Sequence, residues 1–126
     1  MQLQKLSPIL WTKNLQETIS YYETVLGFES RSNFPNFAAL YRDNAEIMVI
    51  VPTGEPDDKD FFPKPLLTGS IYIFTQGVDE LWESVKDKAT IKSPICDREY
   101  WMRDFSVIDN NGYEIVFGED ISNRLK

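Results

Sequence analysis

Tyr100–Glu119 reads YWMRDFSVIDNNGYEIVFGE. Two runs of strand-forming residues, Met102–Ile108 and Tyr113–Phe117, flank the quartet Asp109-Asn110-Asn111-Gly112. A polar quartet ending in glycine supplies the backbone freedom of a tight turn, so the stretch predicts an antiparallel hairpin. Its second strand has a counterpart earlier in the chain. Asn44-Ala-Glu-Ile-Met-Val49 aligns with Gly112-Tyr-Glu-Ile-Val-Phe117.

The opening segments repeat as well. Ser7-Pro-Ile-Leu-Trp-Thr-Lys-Asn-Leu-Gln-Glu17 aligns with Ser70-Ile-Tyr-Ile-Phe-Thr-Gln-Gly-Val-Asp-Glu80. Each copy predicts a strand followed at once by a helix. Correspondence at both ends of both halves indicates one unit written twice. The first helix is expected over Leu15–Leu26. Asn14 and Glu17 form its capping pair, Leu15, Ile19, Tyr22 and Leu26 its buried stripe, and Gly27 its stop. The second is expected over Val78–Lys88, with Val78, Leu81, Trp82 and Val85 facing inward. Asp79 and Glu80 lie in its first turn and Lys86 and Lys88 in its last, as the helix dipole favours. Strands follow each helix: Phe28–Ser32, Phe37–Arg42 and Glu46–Val51, then Thr90–Ile95, Met102–Ile108 and Tyr113–Phe117. One domain over residues 1–126 is expected, with module one at about 6–52, an ordered linker at 53–68 and module two at about 69–119. The linker region carries the pair Phe61-Phe62, for which a structural role is expected.

At 126 residues and 42% hydrophobic content, the chain is long enough for a real core. Its longest apolar runs, such as Ile47–Val51, are strand-length, and the N-terminus lacks the apolar segment of a signal peptide. A cytoplasmic location is the expectation. The lone Cys96 forms no internal disulfide and reads as a bystander thiol. A net charge of −7 opposes nucleic acid and anionic membrane surfaces as partners and favours a cationic small molecule. With no histidine in the chain, a Ser–His–Asp triad and a Cys–His pair are absent.

This tandem βαβββ organisation resembles the vicinal oxygen chelate superfamily, which includes glyoxalase I, ring-cleaving dioxygenases and the fosfomycin- and bleomycin-resistance proteins. The likeness is carried by Tyr21-Tyr22-Glu-Thr-Val-Leu-Gly27-Phe28, by Gly77-Val-Asp-Glu-Leu81, and by Met102-Arg-Asp-Phe105 leading to Asp109-Asn-Asn-Gly112. The last piece is most similar to bleomycin-resistance-type members, although Asn110 stands where those carry proline. The resemblance implies an α+β fold of two curved mixed sheets around a cleft, and a homodimer. It also places the metal-ligand positions of metal-using relatives on Ser7, Met48, Ser70 and Val116. A catalytic divalent ion takes at least three His, Glu or Asp side chains, and none of the four is one. Neither a metal nor another cofactor is therefore expected.

Alternation along strands then predicts what lines the cleft. Ser7 brings Ile9 and Trp11, Ser70 brings Tyr72 and Phe74, Met48 brings Glu46 and Ile50, and Val116 brings Glu114. Leu10, Thr12, Ile71, Ile73 and Ile115 are expected under the helices. Trp101 and Tyr100 are candidates for one wall. Aromatic rings with a carboxylate at the rim suit a flat or cationic organic ligand, so the leading expectation is a metal-free binding protein. The alternatives are an enzyme using Glu46 or Glu114 as base, and an assembly module whose cleft is filled by its own side chains.

Overall fold

The computed structural model describes residues 1–31, 34–52 and 67–125. Phe61 and Phe62 lie outside the described residues. The chain divides into two compact units, Met1–Pro65 and Leu66–Lys126.

The first unit runs β1 (Ile9–Trp11), α1 (Leu15–Thr24), β2 (Glu29–Ser30), β3 (Phe37–Arg42) and β4 (Ala45–Ile50). Its sheet order is β1-β4-β3-β2, with β1 parallel to β4 and the remaining pairs antiparallel. The Asn14 side chain accepts a hydrogen bond from the Glu17 backbone N–H at 3.0 Å, which fixes the start of α1. The helix ends at Thr24, two residues before the expected limit. Gly27 then turns the chain at φ +73°, where a β-carbon would stand 2.7 Å from Arg42 Nη1. That guanidinium in turn donates to the Leu26 carbonyl at 2.7 Å. Leu15, Tyr22, Leu26, Leu40, Ile47 and Val49 fill the core, together with Leu10 and the buried Thr12.

The second unit runs β5 (Ile71–Phe74), α2 (Val78–Val85), β6 (Thr90–Asp97), β7 (Met102–Ile108), β8 (Glu114–Asp120) and a short 3₁₀ turn at Ser122–Leu125. Its sheet order, β5-β8-β7-β6, repeats the first unit's. The two registers match also. Ile9 pairs with Met48 where Tyr72 pairs with Val116, and Trp11 pairs with Ile50 where Phe74 pairs with Gly118. The predicted repeat is thus a repeat of backbone, strand for strand. Because α2 closes at Val85, Lys86 caps it and Lys88 lies beyond it rather than in its last turn. The strand β8 begins one residue later than expected. Tyr113 is instead buried in the turn, with its backbone N–H bound to Asp109 Oδ1 at 2.9 Å. Phe105, Val107, Ile115 and Phe117 pack beneath α2, where Trp82 meets Phe105 edge-on at 5.1 Å.

Candidate functional site

The second unit holds a cavity of about 290 Å³. Its floor is one row across the sheet: Tyr72 on β5, Val116 on β8, and Ser106 on β7, with Ser93 of β6 opposite Ser106. Ser70 and Glu114 close one end, and Asp104, Arg98 and Tyr100 the other. Of the residues expected to line a cleft, the structure brings together Ser70, Tyr72, Tyr100, Glu114 and Val116.

Asp104 organises its end of the cavity. It is 3% exposed, and three donors converge on it. Arg98 Nε donates to Oδ1 at 2.7 Å, while the Tyr72 and Tyr100 hydroxyls donate to Oδ2 at 3.0 and 3.1 Å. A buried carboxylate tolerates desolvation only when it is satisfied in this way. The consequences run through its partners. Burial of the Tyr72 hydroxyl, then its bond to Asp104, raises the Tyr72 pKa well above the usual phenol range. Tyr100 shifts upward for the same two reasons. Asp104 raises that of Arg98 and so keeps it charged.

Two backbone features make this convergence possible. Tyr72 lies across β8 at Gly118, where an added β-carbon would stand 2.0 Å from the phenol oxygen. Tyr72 as a whole remains 37% exposed. Arg98 and Tyr100 project from the turn between β6 and β7. That turn is closed by Arg98 N–H to the Met102 carbonyl at 2.7 Å and Trp101 N–H to the Arg98 carbonyl at 3.0 Å. It forces Trp101 to φ +63°, a strained region for a bulky side chain. The Trp101 ring turns to solvent as a result and does not line the cavity. Phe74 is likewise outside the lining and 77% exposed, stacked on Tyr72 at a tilted 5.4 Å.

The remaining sequence candidates lie in the first unit. Ile9 and Trp11 are exposed, and Met48 is half-buried beside Ile9. Ser7 donates to Glu46, and Lys5 approaches the same carboxylate at 2.9 Å. Hydrogen bonds from Ser7, Tyr41 and Lys5 hold the Glu46 pKa down at about 2, which opposes a role as general base near neutrality. Glu46 and Glu114 sit in separate units, and they differ. Among the described residues, no side chain donates to Glu114. Sequence reasoning missed Asp104, Arg98, Ser93 and Ser106 as lining residues. The available signal was the alternation Asp104–Ser106, which puts two polar side chains on the same strand face as Met102 and Ile108.

A family model described as the Glyoxalase/Bleomycin resistance protein/Dioxygenase superfamily matches residues 5–117. The chain belongs to that superfamily. Solved structures of similar fold include three of bacterial origin. A glyoxalase/bleomycin resistance protein/dioxygenase from Alicyclobacillus acidocaldarius has a TM-score of 0.75 at 14% identity, over 97% of this chain and 95% of that one. TioX from Micromonospora sp. ML1 has a TM-score of 0.72 at 21% identity, over 92% and 95%. A glyoxalase-related enzyme from Clostridium phytofermentans has a TM-score of 0.72 at 19% identity, over 96% and 98%. At these identities the likeness is one of fold. A search of curated proteins gives no match.

Metal-using members of the superfamily need an ionic donor set. Val116 offers no donor, Met48 only a thioether, and Ser7 and Ser70 only neutral hydroxyls. Those residues do not fit a divalent ion. Among the described residues, no three His, Cys, Asp or Glu side chains are grouped to hold one. No helix of the described residues is long and apolar enough to cross a membrane.

Proposed function

We propose that this superfamily member is a small-molecule-binding protein that works without a metal ion. It sequesters an organic, cationic or aromatic ligand in the manner the bleomycin-resistance resemblance implies, and it does so as a homodimer. The observation that carries this reading is the second unit's cavity, with Glu114 at one end as a carboxylate that no side chain among the described residues neutralises. At about 290 Å³ the cavity lies at the small end of ligand sites, which run from roughly 300 to 1,000 Å³. Tyr72 supplies a ring face for a cation. The net charge of −7 adds a long-range attraction for one. Drug resistance is one physiological use of such binding.

A thermal-shift screen tests the proposal. Divalent metals are compared with organic cations and aromatic compounds, metal-free bleomycin among them. A ligand that binds only the native state raises the melting temperature. Stabilisation by an organic compound, with none from metals, is the expected result. A chelator-reversible shift with Mn²⁺ or Zn²⁺, and none with any organic compound, would overturn it.

A further inference from the structure

We propose that the second unit's cavity recognises a small hydroxylated amine, an amino sugar or amino alcohol, with its ammonium on Glu114 and a hydroxyl on Ser106. The assignment rests on the small-molecule reading above and narrows it to one chemical class.

Charge comes first. Three ionisable groups of fixed sign line the cavity: Arg98, Asp104 and Glu114. The first two are joined at 2.7 Å and cancel, and both oxygens of Asp104 are already taken by its three donors. One negative charge is left, on Glu114, so the complementary ligand is a monocation. A like-charged or neutral ligand would leave that half-buried carboxylate unpaired.

The second observation is independent of charge. Ser106 is 2% exposed, and its Oγ finds no hydrogen-bond partner among the described residues. Buried hydroxyls are nearly always satisfied, and an orphan costs about 1–3 kcal/mol. This one lies on the cavity floor opposite Val116 and Ser93. A ligand hydroxyl can donate to it and accept from it. Ser70 and Ser93 add two more hydroxyls to the lining, whereas Val116 is its only aliphatic side chain. Such a lining favours a hydroxylated ligand over a flat hydrocarbon surface. The exposed aromatic Phe74 lies outside it.

Spacing sets the size. Val116, opposite Ser106, is two residues from Glu114 along β8, roughly 7 Å at about 3.3 Å per residue. Part of that distance is bridged by the Glu114 side chain, so one six-membered ring reaches from the carboxylate to the hydroxyl.

Isothermal titration with D-glucosamine, its neutral counterpart D-glucose, and benzyltrimethylammonium as a flat cation without hydroxyls tests the assignment. Glucosamine is expected to bind, and the other two at least about tenfold more weakly. Glu114→Gln should weaken glucosamine by a similar factor. Ser106→Ala provides the check on folding, because it removes an unsatisfied buried group. It should leave the melting temperature of the free protein unchanged or higher, while weakening glucosamine. The assignment is overturned if glucosamine fails to bind, if benzyltrimethylammonium binds more tightly than glucosamine, or if Glu114→Gln binds glucosamine as well as the parent does. None of these results touches the broader small-molecule reading, which fails only if no organic compound stabilises the protein in the thermal-shift screen.

Discussion

The two units share a backbone and differ in what they place on it. Across equivalent rows of the sheets, the first unit has Ile9, Ile50 and Phe37 where the second has Tyr72, Gly118 and Asp104. It has Ala39 where the second has Ser106. At the other end, Glu46 faces Tyr41 across the hairpin, while its equivalent Glu114 faces Ile108. Tyr41, with Ser7 and Lys5, occupies the Glu46 carboxylate, and Ile108 offers Glu114 no hydrogen. The cross-strand exchange, phenol for sec-butyl, therefore acts beside the Ser7 hydroxyl, the larger influence, and Lys5 in tying down Glu46. The lesson is that a duplicated fold fixes where side chains point, whereas one or two neighbours determine whether they are available to a ligand.

The comparison breaks most severely at Asp104. Asp104→Ala leaves two tyrosine hydroxyls and a guanidinium without their shared acceptor. The expected loss is about 3 kcal/mol of unfolding free energy, measured by urea titration, because Arg98 is partly open to water and can recover some hydration.

Gly118→Ala comes next, at about 2 kcal/mol. The φ of Gly118 is not in the left-handed region, so the cost comes from the collision with Tyr72 and not from the backbone. In a Tyr72→Ala background most of that cost should disappear, which a double-mutant cycle measures. The equivalent position in the first unit, Ile50, already carries a side chain.

Removing the Glu46 tethers gives a smaller effect with a definite pH signature. Its folded pKa of about 2 lies below the ordinary 4.5. The stabilisation is therefore complete above pH 4.5 and lost as the pH falls toward 2. Glu46→Gln should cost about 1 kcal/mol at pH 7. The gap from the parent protein should close on acidification over that window. Carboxyl-carbon NMR on Ser7→Ala should show the Glu46 titration moved upward, and further than in Tyr41→Phe.

Arg103→Ala should do least. Arg103 grips Asp97 through Nε and Nη2 at 2.6 and 3.1 Å, and Asp79 through Nη1 at 3.1 Å. Both carboxylates are exposed, so the loss should be smaller than that of Glu46→Gln and should shrink with added salt.

The duplication was legible because it is written in periodic apolar residues and turn chemistry. Ser7 against Ser70 and Glu46 against Glu114 gave the alignment that the strand registers follow. At the cavity's far end only Tyr100 was legible, as a candidate for one wall, and its contact with Asp104 was not. Arg98 and Tyr100 reach it only through the tight turn that strains Trp101, and nothing local in Asp97–Trp101 announces that geometry. Gly118 has the same character: its requirement comes from a tyrosine on another strand. Tyr72 was placed on the correct face for its ring, while its hydroxyl contact depends on Asp104, far away in sequence.

Amide chemical-shift mapping on the labelled protein, titrated with D-glucosamine, tests the central claim most directly. The account predicts perturbations at residues 70–72, 93–106 and 114–116, with the equivalent positions of the first unit around Ser7, Tyr41 and Glu46 left in place. Perturbations centred on that first-unit cluster, with Glu114 and Ser106 unaffected, would contradict it.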